Sequence, residues 1–305
     1  MIERVCVAGA GVIGSLYAGH LAQVADVWVL TRRKEHAASL NADGLHVSGK
    51  SELTSAVRAT DDPAELPDAD LCIVATKGTE LEAAARALAG RLPGAAVMPV
   101  QNGLGAEEIV RAHGSWPLIS AVTFMSGTKH TDTSVEYILD TETWLGPYES
   151  TPRELVQETA AVLAASGLKA RMFDDLRPAQ WSKLIFNATV NSVAALTGFP
   201  HDHHFAATER RFDLGRLVRS LVEEGREVAA AVGIELHEDP WEMNVHATRH
   251  GSAHYPSMLE DVRARRPTEI DFITGALVRA ANRVGVEVPL HRALYATVKG
   301  IEQSW

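Results

Sequence analysis

At 305 residues and 32.9 kDa the chain has room for one large domain or two modest ones. With 46% hydrophobic and 22% charged residues it is globular in composition, which excludes wholesale disorder. The net charge of −10 argues against a nucleic-acid partner, because neutralising phosphates takes a basic face; only a local basic cluster could receive a phosphorylated ligand.

The start, Met1-Ile2-Glu3-Arg4, runs into a short apolar segment ending in glycines, whereas a signal peptide has a longer apolar region. No apolar run approaches the roughly 18 residues of a membrane span. A cytoplasmic protein without membrane partners is expected. Val5–Ala8 reads as a strand, Val12–Val24 as a helix, Val27–Leu30 as a second strand and Lys34 to about Ala42 as a polar helix. Leu71–Ala75 and Ala95–Val100 are further strands, with the Ala-rich helix Leu81–Leu88 between them. Cys6 and Cys72 fall in these strands and are expected as buried, reduced thiols. Short apolar runs separated by helices imply a parallel sheet covered on both faces. Leu118–Leu145, rich in Thr, Val and aromatics, reads as an antiparallel extension. Thr151-Pro152 opens a helix to about Ala165, and Leu168–Phe173 closes the region as a strand. From Asp174 onward the periodicity is helical, broken at Gly198-Phe199-Pro200, Gly233, Asp239-Pro240, Arg266-Pro267 and Pro289.

The segment Val5-Cys6-Val7-Ala8-Gly9-Ala10-Gly11-Val12-Ile13-Gly14 is strand, glycine turn and helix start. Gly9 permits the tight turn, Gly11 lets backbone approach a pyrophosphate, and Gly14 lets helix pack closely on strand. The helix N-terminus then offers free N–H groups and a positive dipole end to phosphates. Gly9, Ala10, Gly11, Val12, Ile13 and Gly14 are therefore the candidate dinucleotide cradle. The expected fold is α/β: a Rossmann-type parallel-sheet domain over residues 1–173, followed by an all-helical domain over 174–305.

An NAD site usually carries Asp or Glu at the end of the second strand. This chain has Thr31-Arg32-Arg33-Lys34 there, with no carboxylate before Glu35. Cations at that place suit the 2′-phosphate of NADP, with Arg32 first and Arg33 second. The alternative is a solvated basic helix start, although cations are mildly unfavourable at a helix N-terminus.

Within Trp181–Asn191, Lys183, Asn187 and Asn191 recur at i, i+4 and i+8, which places them on one face of a helix. Their neighbours are mostly apolar, so the helix is expected to be buried. An ammonium and two amides there face a ligand, or form a polar seam bonded to neighbouring helices.

The glycine turn, Gln101-Asn102-Gly103 and the Lys183/Asn187/Asn191 helix together resemble the 2-dehydropantoate 2-reductase (ketopantoate reductase) family. Ser257 to Gly275, with Glu269 inside it, looks like that family's C-terminal signature, and Pro289 with the final helix follows in order. The resemblance implies NADPH-dependent reduction of 2-dehydropantoate to (R)-pantoate, on the route to pantothenate and coenzyme A. It assigns Lys183 as the proton donor and Glu269 as the carboxylate that orients it. It gives substrate contacts to Asn102, Asn187, Asn191 and Ser257. It also places Asn102 and Glu269 against the cofactor, and it matches Lys77 to a cofactor-contacting lysine, against a solvent-exposed loop lysine. A small 2-oxo acid is the expected partner, and a homodimer is an open option. The chain departs from the family at His291, where Asn is common, and at Pro256 before Ser257; both bear on pocket shape. His246, His250 and His254 share helical spacing, and His201, His203 and His204 cluster in a loop. With no carboxylate or cysteine completing a ligand set, both groups read as structural or surface histidines, and no metal is expected. The alternatives are an NADPH-dependent reductase of another small 2-oxo acid or ketone, and a non-catalytic NADP-binding sensor. A sensor would need only the glycine turn and the arginines.

Overall fold

Apolar runs of four or five residues can cross a core only as strands, and they build the centre of the N-terminal half. The structure is a computed structural model that describes residues 2–208, 213–250 and 255–305, with only the backbone of His250. The chain divides into two compact units: Met1–Gln101 with Ala106–Leu176, and Asn102–Gly105 with Arg177–Trp305.

In the first unit the chain runs β1 (Arg4–Ala8), α1 (Val12–Leu21), β2 (Asp26–Leu30), α2 (Lys34–Asp43), β3 (Leu45–Gly49), β4 (Leu53–Ser55) and β5 (Arg58–Thr60). It continues through β6 (Leu71–Val74), α3 (Gly78–Leu88), β7 (Ala96–Pro99), α4 (Ala106–Arg111), β8 (Ile119–Thr123), β9 (Ser126–Thr131), β10 (Ser134–Leu139), β11 (Thr143–Pro147), α5 (Arg153–Ala165) and β12 (Ala170–Met172). The central sheet is parallel with order β5-β2-β1-β6-β7. The order reverses at β1, so the turn leaving β1 lies at the switch point, where such sheets take ligands at their carboxyl edge. Cys6 and Cys72 are opposite each other on β1 and β6, buried and reduced.

The strands β3, β4 and β5 are not anticipated from the sequence. They are short and mix polar with apolar residues; β3 and β4 pair with each other as a local hairpin, while β3 also pairs with β10 and β5 with β2, both distant in sequence. The single antiparallel extension expected over 118–145 is instead split between two sheets. The hairpin β9–β10 joins β3 and β4 in the order β4-β3-β10-β9, with β10 parallel to β3. The strands β8 and β11 pair antiparallel, β12 adds parallel to β11, and a Val97–Leu118 bridge ties this sheet to β7. The first helix stops at Leu21, not Val24, because Gln23 and Val24 turn back to the carbonyls of His20 and Leu21 in a tightened last turn.

In the second unit α6 (Arg177–Thr197) is wrapped by α7 (Asp213–Val232), α8 (Pro240–His250), α9 (Ser257–Arg263), α10 (Thr274–Val284) and α11 (Pro289–Glu302). Pro240 and Pro289 sit at first helical positions, where a missing N–H costs nothing. The Glu224 carboxylate accepts from Leu290 N (2.9 Å), His291 N (3.0 Å) and His291 Nδ1 (2.8 Å), which makes His291 part of a helix cap. At Gly225 a side chain would stand 2.6 Å from Ile185 Cγ2, so α7 can approach α6 this closely only with glycine there. Among the described residues no helix is long and apolar enough to cross a membrane.

A Cβ at position 14 would lie 1.8 Å from the Gly9 carbonyl oxygen, which is backbone and cannot yield as a side chain would. Gly14→Ala should therefore destabilise the protein by about 1–3 kcal/mol, as overpacking does, measured as a lower denaturation midpoint.

Candidate functional site

Beyond Ala8 the chain must turn sharply between β1 and α1. Gly9 has φ +104°, and a Cβ there would stand 2.9 Å from Thr76 N, so both conformation and space demand glycine. Among the described residues nothing lies within 4 Å of where a Gly11 side chain would stand, which leaves open room beside the turn. Ser15 N is the first amide to bond within α1, to Gly11 O at 2.9 Å; the N–H groups of Val12, Ile13 and Gly14 lack intrahelical acceptors. Gln101 donates from Nε2 to Val74 O (2.8 Å) and Thr76 O (2.9 Å) at the end of β6. Thr76 Oγ1 and Gln101 Oε1 are buried without a hydrogen-bond partner among the described residues. A glycine-lined gap, free amides at a positive helix end and orphaned polar atoms fit a phosphate-bearing dinucleotide.

The basic cluster after β2 divides. Arg32, 78% exposed, pairs with Glu80 in the first turn of α3. Arg33 caps α2 and places Nη2 2.6 and 2.7 Å from the two Asp132 carboxylate oxygens. Lys77 is exposed at the N-cap of α3. Two groups not anticipated from the sequence join them: Lys129 on β9 donates to Ala10 O, and His36 Nε2 lies 3.1 Å from its ammonium. No local pattern marks Lys129, because its partners lie 93 and 119 residues away.

In the second unit α6 buries the expected polar stripe: Lys183 and Asn187 are each 8% exposed and Asn191 is 7% exposed. The other polar groups of this helix have ordinary answers. Ser182 and Thr189 bond carbonyls one turn back, and Ser192 Oγ meets Thr274 Oγ1 at 2.7 Å. Burial pushes the Lys183 ammonium down to about 8, and the nearby Glu269 carboxylate works the other way. Glu269 in turn accepts from Asn102 Nδ2 at 3.1 Å. Asn102 reaches it because Gly103 (φ +97°) lies against Phe272, where a Cβ would come 1.9 Å from the carbonyl oxygen. Leu104 N bonds that same carbonyl at 3.1 Å. These contacts group 102–105 with the helices, interrupting the continuous 1–173 stretch expected from the sequence.

Asn191 Oδ1 lies 3.4 Å from Ser257 Oγ and 3.3 Å from Met258 N, so the amide steadies the start of α9. Ser257 is exposed. Lys183, Glu269 and Asn102 thus form one linked set, and Asn191 with Ser257 a second; Asn187 shares the face of Lys183. His201 is buried, bonds Asn244 Oδ1 at 2.9 Å and packs against Phe186 and Phe205. Asp202 supplies a carboxylate beside His203 and His204 that histidine spacing does not reveal; it bonds His204 N (3.0 Å) and Nδ1 (2.8 Å). His246 is exposed, while the side chain of His250 and all of His254 lie outside the described residues.

Residues 5–150 match the family described as ketopantoate reductase PanE/ApbA, and residues 175–302 match its C-terminal part. The 2-dehydropantoate 2-reductase of Pyrococcus horikoshii is 29% identical, covering 98% of this chain and 97% of that one. A PanE/ApbA family ketopantoate reductase from Ralstonia eutropha superposes with TM-score 0.89 at 28% identity, covering 99% of both chains. D-mandelate dehydrogenase, solved with NADH and anilino(oxo)acetate, shares the fold with TM-score 0.88 at 24% identity, again over 99% of both chains. A parallel-sheet unit with a glycine turn, followed by a helical unit with a buried ammonium, is the architecture of a class of oxidoreductases. This chain belongs to the ketopantoate reductase family.

Because the folded-state value of Lys183 lies below the 10.5 of a free lysine, holding its proton costs stability below about pH 8. The cost fades as pH rises and is gone above about 10.5, where both states are neutral. At pH 7 Lys183→Met should accordingly stabilise the protein, by on the order of 2–3 kcal/mol, with a gain that shrinks toward pH 10 in denaturation curves.

Proposed function

We propose that this protein reduces 2-dehydropantoate to (R)-pantoate with NADPH, Lys183 acting as the general acid. A nicotinamide cofactor follows from membership of this oxidoreductase family, and when bound it supplies the hydride. The observation that carries the reading is the buried Lys183 ammonium, tuned to about 8 and set beside a carboxylate. A ketone gaining hydride becomes an alkoxide, and an ammonium nearby both stabilises that charge and gives up the proton. A value near 8 leaves Lys183 protonated at neutral pH yet a better donor than an ordinary lysine. Glu269 favours the charged form before turnover, and Asn102 fixes the direction of that carboxylate. Asn187 and Asn191 offer amides and Ser257 a hydroxyl to the substrate's carboxylate and hydroxyl groups.

Preference for NADPH is supported by Arg32 and Arg33 where an NAD enzyme usually holds an acid. The Arg32–Glu80 pair is exposed, so a 2′-phosphate can replace the Glu80 carboxylate at little cost. Lys77, at the start of the same helix, is a further cofactor contact in this reading. The location follows from the chemistry: a reductase drawing on NADPH and delivering pantoate to coenzyme A synthesis works in the cytoplasm, with a homodimer as its proposed assembly. Reduction of another small 2-oxo acid is the second reading, favoured by the shared fold of D-mandelate dehydrogenase.

NADPH consumption over a panel of 2-dehydropantoate, pyruvate, 2-oxoisovalerate and benzoylformate should be fastest with 2-dehydropantoate. Preference for another member would move the substrate, and no turnover at all would leave an NADP-binding sensor. The reductive rate should fall as pH rises through about 8, where Lys183 loses its proton. A flat alkaline limb would assign the proton to another group. Arg32→Ala should weaken NADPH binding roughly tenfold or more while barely changing NADH. Equal losses in fluorescence titrations would take Arg32 away from the 2′-phosphate.

A further inference from the structure

We propose that Lys129 is a phosphate contact of the cofactor cradle, its ammonium taking a phosphate oxygen of the bound dinucleotide beside Ala10. This rests on the dinucleotide reading above and adds a residue from a strand outside the central sheet. On β9 residues two apart share a face, so Gly127 and Lys129 point the same way. At Gly127 a Cβ would lie 3.1 Å from Val12 Cγ1 in the first turn of α1, so β9 runs closely past the start of that helix. Two residues further on, Lys129 Nζ bonds Ala10 O, in the middle of the glycine turn.

A cation is badly placed there unless an anion joins it. The positive end of α1 is adjacent, and Arg33 adds a second positive charge. Burial pushes the Lys129 ammonium below its ordinary value and Arg33 pushes the same way, with Asp132 opposing. Asp132 attracts the ammonium from a distance: its carboxylate oxygens lie 2.6 and 2.7 Å from Arg33 Nη2, and among the described residues it makes no hydrogen bond to Lys129. His36 is no secure acceptor. Its Nε2 lies 2.9 Å from Asp132 O and 3.1 Å from Lys129 Nζ, and one nitrogen cannot donate to the carbonyl while accepting from the ammonium. Burial and Lys129 both lower the imidazole, which keeps it neutral. Among the described residues three ammonium N–H donors thus meet one secure acceptor, Ala10 O, and one contested acceptor, at the turn that fits a phosphate. Lys129 is only half-buried, so a ligand can reach it.

The test is cofactor binding by fluorescence titration, with no substrate, for wild type, Lys129→Met and Lys129→Arg. Lys129→Met should weaken NADPH binding roughly tenfold, with partial recovery in Lys129→Arg and a shallower salt dependence for Met. If the phosphate is the pyrophosphate, NADH binding falls by the same factor; if it is the 2′-phosphate, only NADPH binding falls. Unchanged affinity for both cofactors in Lys129→Met, with or without a lower melting temperature, would overturn the proposal and leave Lys129 as a brace on the turn. Wild-type protein binding neither cofactor would instead sink the dinucleotide reading itself, and the phosphate contact with it.

Discussion

Burial of the Lys183 ammonium is the constraint to which much of the helical unit answers. An isolated charge taken out of water costs several kcal/mol even after relaxation, so it survives only with compensation close by. On α6 the hydroxyls of Ser182 and Thr189 bond back to carbonyls one turn earlier, and Ser192 bonds Thr274. Compensation comes from Glu269, which lies on another segment altogether. Burial outweighs that attraction and holds the ammonium at about 8, below the 10.5 of a free lysine.

A carboxylate serves this purpose only if it stays put, and the loop carrying Glu269 is fastened on both sides. Thr268 donates from N (2.8 Å) and Oγ1 (2.7 Å) to Glu302 of α11. Two residues beyond Glu269, Asp271 accepts from Tyr295 (2.6 Å) and Lys299 (3.0 Å) of the same helix. Burial alone would lower Lys299, but Asp271 and Glu302 outweigh it and hold its proton firmly. Gly103 against Phe272 then sets Asn102 on the remaining side of the carboxylate. The C-terminal helix, remote in sequence from Lys183, thus fixes the partner of that lysine.

What is legible in the sequence follows from the range of each interaction. The strands of the parallel sheet, the glycine turn and the α6 stripe are local patterns, readable from period and spacing. Helical geometry alone puts Lys183, Asn187 and Asn191 on one face. Glu269 and Asn102 come only from the family resemblance, because no spacing connects them across 167 residues. Nothing in the sequence marks β3, β4 and β5: the β3–β4 hairpin is short and mixed in polarity, and β5 takes its partner, β2, by long-range pairing. The charge of Arg32 and Arg33 is legible, but their carboxylates, Glu80 and Asp132, are not. The loop histidines read correctly at His201, a packed core residue, while the carboxylate of Asp202 next to His204 escapes a reading confined to histidine spacing.

The two units meet opposite physical demands. The turn between β1 and α1 is built from missing side chains, so its centre at Gly9 and Gly14 admits no substitution without backbone movement. Its periphery is different: the Arg32–Glu80 pair is exposed, and such pairs are worth about 0–1 kcal/mol. The proposed preference for NADPH would therefore rest on residues that can be exchanged without disturbing the fold. The amine site has no such periphery. Losing Glu269 would remove a carboxylate that favours the buried ammonium, and breaking a buried pair typically costs about 3–5 kcal/mol. Lys183 is held by Glu269, Glu269 by Asn102, and the loop by α11. The proposed chemistry is consequently more tightly bound to the fold than the proposed cofactor choice is. In the proposed reaction a change of substrate would fall to residues beside that chain of support, such as Asn187 and Ser257, and not to its members.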